Sequence, residues 1–161
     1  CAGGIMKELM EYREKLLLRL REAAAEFCEA CRTPANPHGK TPDGWSAHQI
    51  AFHVRDVDRE VYGMRIRRTL SEENPLFNNF GPDEWMEAHY NHEEPLEKIL
   101  SEFQESVKEV TDLLGNAQPG SWSRPSRHES LGRELTLQLW VERSLAHVEE
   151  HLGSLITPQK T

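Results

Sequence analysis

The chain has 161 residues, 37% hydrophobic and 29% charged, enough for one domain with a substantial core. Its formal net charge of -8 argues against non-specific nucleic-acid binding, which needs clustered Lys and Arg to displace counterions. No apolar run approaches the roughly 18 residues that span a bilayer and no basic-then-apolar leader is present, so the expectation is a cytoplasmic protein with neither membrane nor nucleic acid as partner.

In chain order, the opening CAGGI lacks a Met, and residues 1–4 are read as a remnant of processing or expression ahead of a single domain spanning 5–157. Ile5, Leu9, Tyr12, Leu16, Leu20, Ala24, Phe27 and Cys31 recur at helical spacing and predict a first helix with one apolar stripe. Cys28 and Cys31 form a CxxC at the C-terminal end of that helix. A helix C-terminus disfavours thiolate, so these read as packing residues, and three cysteines do not suggest a secreted disulfide framework.

TPANPHGKTPDG, with three prolines and two glycines, predicts a loop. A second helix opens at Ser46, where SAHQ has the form of a capping box, and Ile50, His53, Val54, Val57, Val61 and Met64 predict its inward stripe up to about Leu70. His48 falls off that stripe. SEENPLFNNFGP predicts a loop and DEWMEAHY after Pro82 a short helix. Pro95 starts another long helix with the seam Leu96, Ile99, Phe103, Val107, Val110 and Leu114, which Gly115 can stop. GNAQPGSWSRPSRHES reads as a long loop. The last helix begins between Ser130 and Thr136 and ends before the tail 158–161, with Trp140, Ser144, His147, His151 and Leu155 on one stripe. Four long amphipathic helices predict an all-α four-helix bundle, with loops long enough to cover one end of it.

The chemistry concentrates on three histidines. His147 and His151, four residues apart in HVEEH, stack on one helix face and can close on one ion, with His53 of AFHVRD as third donor from a neighbouring helix. A three-nitrogen site keeps a coordination position open, as catalytic metal sites do. Imidazole donors suit zinc or nickel first, then iron, manganese or copper, and the open position would take water or a thiolate. HVEEH also contains His-x-x-Glu-His, in which Glu150 would serve as general base of a metallopeptidase; that reading needs a distant carboxylate ligand and a larger chain. With His53 available, Glu150 is expected beside the ligand face, as a candidate base or second-sphere partner, and Glu149 further from the core. His38, His89, His92 and His128 read as solvated residues, His128 with the added prospect of folding over the site beside a basic rim of Arg124 and Arg127.

GWSAHQIAFHVRDVDRE, EWMEAHYNHEEPLEKILSEFQES and GRELTLQLWVERSLAHVEEHLGSL resemble, over nearly the whole chain, the corresponding motifs of the DinB-like family, which includes the YfiT-type metalloenzymes. The resemblance implies an up-down-down-up four-helix bundle, frequently a homodimer, with a divalent metal held near one end by His53, His147 and His151. It implies a small-molecule substrate and, on the pattern of bacillithiol and mycothiol S-transferases, a low-molecular-weight thiol as co-substrate. The expectation is a metal-dependent S-transferase or hydrolase; the alternative is a non-enzymatic metal-binding or dimerisation bundle. A second apolar row on the last helix (Leu137, Val141, Leu145, Val148, Leu152) is wide enough to suggest a partner face.

Overall fold

The computed structural model describes residues 2–156. Its long elements are α1 (Ala2–Arg32), α2 (Ala47–Val57) continued through a π-turn (Asp58–Tyr62) into α3 (Gly63–Ser71), α5 (Leu96–Gly115) and α6 (Leu137–Ile156), with a short α4 (Pro82–His89). α1 packs most extensively on α6 and α5, α2 mainly on α5, and α3 mainly on α6, which closes a four-helix bundle. No helix among the described residues is long and apolar enough to cross a membrane. Residues 2–4 are part of α1, whereas Cys1 and the tail 158–161 lie outside the described residues.

Local signals explain the helix starts. The Ser46 hydroxyl accepts from Gln49 N at 3.0 Å while the Ser46 N–H donates to Gln49 Oε1 at 2.8 Å, so the expected capping box is formed. The α5 seam is buried at Ile99, Phe103, Val107, Val110 and Leu114, and Phe103 meets Phe27 of α1 edge to face at 5.6 Å. Cys28 and Cys31 are free and buried in this core; burial pushes the Cys28 thiol up to about 12 and raises that of Cys31, as packing residues require. The α1 stripe, however, is buried only from Leu16 onward. Ile5 and Tyr12 are exposed, Tyr12 with its hydroxyl donating to Glu142 of α6.

The all-α expectation needs one correction. β1 (Leu76–Phe77), β2 (Pro125–His128) and β3 (Gly132–Thr136) form a small sheet in the order β1-β2-β3, parallel then antiparallel, the first two within segments read as loops and the third in the stretch where the last helix is expected to begin. Its turn uses Gly132 at φ 104°, and β2 alternates, with Ser126 and His128 turned inward. The sheet is fastened to the bundle: Trp140 Nε1 donates to Ser126 Oγ at 2.7 Å, and Phe77 meets the Trp140 ring at 5.8 Å. Consequently α6 begins at Leu137, just after the strand, rather than inside the residues before it. The second α6 row is largely consumed within the chain, with Leu137, Val141, Val148 and Leu152 buried.

Candidate metal centre

α2 presents His53 and α6 presents His147 and His151, and the structure brings the three rings together. One ring nitrogen from each lies within 4.8 Å of the others, and the Nε2 atoms of His53 and His147 face each other at 3.2 Å. Two imidazoles bound to one zinc-like ion at about 2.0–2.1 Å would hold their nitrogens about 3.0–3.4 Å apart. The donor set therefore fits a divalent cation without large rearrangement. Trp45 meets the His53 ring at 5.2 Å and Tyr62 the His147 ring at 5.4 Å, which restricts both rings.

Burial keeps these imidazoles neutral. Desolvation, reinforced by the neighbouring His151, takes His53 down to about 4, and desolvation with the other two rings takes His147 down to about 3. His151 is also lowered, chiefly by burial, with Glu150 and Asp43 opposing the shift. At neutral pH the nitrogens thus keep the lone pairs a metal needs.

The rings form one wall of a cavity of about 410 Å³, the size of a small-molecule site. Val57, Val61, Tyr62 and Arg65 line it from the α2–α3 side, and Asn79, Phe80, Pro82, His128 and Leu131 from the strand connections. Glu150 lines it too, exposed at the lip, whereas Glu149 is exposed and held by Arg19 at 3.3 Å.

The π-turn sets the α2–α3 wall. Its closing bond runs from Gly63 N–H to the Asp58 carbonyl. In a regular α-helix the series 53, 57, 61, 65 would drift by about 40° per step, about 120° in all, and carry Arg65 round the helix. The wider turn takes up part of that drift, so Tyr62 and Arg65 line the same cavity as His53. A Cβ at Gly63 would sit 2.8 Å from the Asp58 carbonyl oxygen and 2.9 Å from Arg67 Nη1, so the turn also depends on glycine.

The sequence missed Tyr62 and Arg65, since nothing in VYGMRIRR marks a π-turn. It also misjudged the burial of two histidines, although His128 does fold over the cavity as expected. His128 is buried, not solvated, and lines the cavity; its Nδ1 accepts the backbone N–H of Ser130 and Leu131 at 3.0 and 3.1 Å. His48 is off the His53 stripe as expected, yet buried beneath the Tyr90–Glu94 segment. The expected basic rim is absent: Arg124 donates to the carbonyls of Thr69 and Glu72, and Arg127 to that of Asn74, so both fasten the strands to the α3–β1 connection and neither lines the cavity.

A four-helix bundle with three converging imidazoles in an open cavity defines a class of candidate metal-binding proteins. The profile of the DinB superfamily matches residues 13–155, and the chain belongs to that family. It is 28% identical over 111 residues, 65% of its length, to a protein of Oceanobacillus iheyensis named "putative metal-dependent hydrolase", and the match spans 63% of that relative. Its fold is similar to that of YfiT from Bacillus subtilis, described as a probable metal-dependent hydrolase with an unusual four-helix bundle topology. The TM-score is 0.69 at 24% identity, over 89% of this chain and 86% of that one.

Proposed function

We propose that this protein is a divalent-metal-dependent enzyme acting on a small molecule, with His53, His147 and His151 as the metal ligands. The observation that carries the reading is the convergence of three neutral ring nitrogens within 4.8 Å on the wall of an open cavity. A metal held there, zinc or nickel before iron, manganese or copper, supplies Lewis acidity toward a nucleophile or a substrate oxygen. The chain's own residues supply the rest. Burial holds the three rings in the donor form, Tyr62 and Trp45 fix the orientation of two of them, and Phe80, Pro82 and Leu131 give the opposite wall apolar surface. Glu150, the one carboxylate among the lining residues, is placed to take up a proton at the lip.

Hydrolysis is the first reading, in keeping with the names of the relatives. Thiol-dependent S-transfer is the second, favoured by the absence of a buried carboxylate base among the lining residues, because a low-molecular-weight thiol ionises more easily than water. Up-down-down-up helix directions and a homodimer accompany this reading on the family resemblance. The protruding apolar residues Ile5, Met6 and Met10 of α1 are the surface on which a second copy would be sought by light scattering.

The test is elemental analysis of the purified protein followed by two assays on the metal-loaded form: hydrolysis of an activated ester, and thiol-dependent conjugation of monochlorobimane. Turnover in one assay, lost together with the metal in His147→Ala, is expected. A protein that neither retains nor takes up a divalent ion removes the proposal.

A further inference from the structure

Arg65 is the least explained charge among the described residues. It lies on α3, lines the cavity beside the three histidines and is 6% exposed. Its guanidinium stacks over Trp140 at 4.8 Å and Phe77 at 5.7 Å, and Nη2 donates to the Asn78 carbonyl at 3.0 Å. Its Nε is buried with no hydrogen-bond partner, and no carboxylate among the described residues pairs with it. The ionisable groups that act on it are Tyr62 and a second cation, Arg143, and it in turn acts on His128. A buried cation without a counter-charge is costly, and a carbonyl and two ring faces offset only part of that cost.

The other buried arginines show how this chain normally meets the cost. Arg55, also on the His53 helix and 4% exposed, donates to Asp56 at 2.8 Å and to both oxygens of Glu94 at 2.6 and 2.9 Å. Arg13 has no carboxylate either, but its Nε donates to Gln138 Oε1 at 2.9 Å and its Nη1 to the Pro119 carbonyl at 3.2 Å. Arg65 alone combines burial, an orphaned Nε and a place on the cavity wall. A residue kept only to fasten Asn78 and cover Trp140 would need no charge.

We infer that Arg65 is the counter-charge for an oxyanion on the substrate, a carboxylate or phosphate group that enters the cavity and pairs with the guanidinium. The planar donor edge suits a two-point grip on a carboxylate. The anion anchors one end of the molecule and leaves its reactive centre for the histidine wall. This rests on the reading of the cavity as the active site and adds the substrate's charge to it. Arg65 is then a specificity-determining residue.

The experiment is calorimetric titration of the metal-loaded protein with benzoate, phenyl phosphate and benzamide, the neutral isostere of benzoate. Binding of one or both anions, with benzamide at least tenfold weaker, is expected; the ratio of benzoate to phenyl phosphate affinity tells which oxyanion the site prefers. Arg65→Gln should lose at least tenfold in anion affinity while its metal content, measured on the same sample, stays at the wild-type level. Arg65→Lys, which keeps the charge but not the fork, should fall between the two and serves as the test if the Gln variant does not fold. His147→Ala separates this proposal from the metal reading: it should lose the metal, and anion binding that persists there but fails in Arg65→Gln assigns the anion to Arg65. Equal affinity for benzoate and benzamide, or anion binding unaffected by either Arg65 substitution, overturns the inference whatever the metal content.

Discussion

Two sets of three histidines occupy this molecule, and they are built to opposite ends. His53, His147 and His151 stand on two helices, and their ring nitrogens converge within 4.8 Å with no side-chain or backbone hydrogen bond among them beyond the Nε2 contact of His53 with His147. His38, His48 and His92 also cluster by ring position, with His38 lying 4.5 Å from His48 and 4.1 Å from His92, although His48 and His92 stand 6.3 Å apart. Here the buried member is already committed: His48 Nδ1 pairs with the Tyr90 hydroxyl at 2.6 Å and Nε2 with the Glu94 carbonyl at 2.7 Å. Proximity of imidazoles is therefore not what marks a metal site. Free, converging lone pairs on rigid elements mark it.

The largest effect that would break this contrast is a double dissociation. His147→Ala should lower metal affinity by more than the roughly 10–100-fold that losing a mere supporting partner costs, while leaving the chelated protein folded. His48→Ala should do the reverse. It leaves the Tyr90 hydroxyl and the Glu94 carbonyl without their partner and opens a void, at a cost of about 2–4 kcal/mol, with metal content unchanged. Elemental analysis and denaturant unfolding of both variants check it; metal loss from His48→Ala would erase the distinction between the two sets.

How far the sequence could reach follows the same line. Helix-borne features were legible because spacing states them: the i, i+4 pair in HVEEH, the Ser46 capping box and the α5 seam all lie where the pattern puts them. Features made by long-range closure were not. PSRH and GRELT carry few β-branched or aromatic residues; long-range contacts hold them, with Arg124 on α3, Ser126 on α6 and Arg127 on the α3–β1 connection. A separate long-range contact clips the Tyr90–Glu94 segment onto His48. Arg65 was hidden for a third reason: its direction depends on a π-turn, and helical periodicity assumes there is none.

Acid should sharpen the comparison next. The folded-state values of His53, about 4, and His147, about 3, lie below the roughly 6.5 of an unfolded histidine, chiefly through burial. The depressed groups contribute stability that is fully present above about pH 6.5 and is lost as pH falls toward those folded values, because the unfolded chain takes up protons first. In chelated protein the melting temperature should fall between about pH 6.5 and 4, and His147→Leu, which has nothing to protonate, should flatten that fall. With metal bound, the curve should start higher near neutrality and converge on the chelated one in acid, as protons displace the ion. A pH profile identical in wild type and His147→Leu would mean that the buried rings do not carry the acid sensitivity.

A smaller effect is expected at the π-turn, which only the cavity side possesses. Gly63→Ala forces a Cβ to within 2.8 Å of the Asp58 carbonyl oxygen, a backbone atom that cannot swing aside. The turn must open or revert, at about 1–3 kcal/mol, and the Tyr62–Arg65 wall moves with it. Denaturant unfolding should register the cost, and metal affinity should change little, because His53 precedes the turn. A Gly63→Ala protein of unchanged stability would show that the close approach is readily relieved.

The smallest effect belongs to the exposed members of the second set. His38 and His92 meet at 4.1 Å in solvent with their rings tilted by 35°, and His38 sits 4.5 Å from the ring of His48. If that set were a latent metal site, removing either ring would cost metal; if the pair held the loop onto α2, removing it would cost stability. Neither is expected. His48 keeps both hydrogen bonds without them, and the loop is anchored independently, by the His48 N–H on the Pro37 carbonyl at 2.9 Å and by the paired Thr41–Trp45 backbone, where Thr41 N donates to the Trp45 carbonyl at 2.9 Å. His38→Ala, His92→Ala and the double variant should each move the melting temperature by less than about 2 °C, the range of ordinary surface substitutions in a chain of this size, and leave the bound metal at the wild-type amount. A larger fall in the double variant than in the sum of the singles would reveal a coupled role for the pair, and a drop in metal would show that three rings in contact are enough after all.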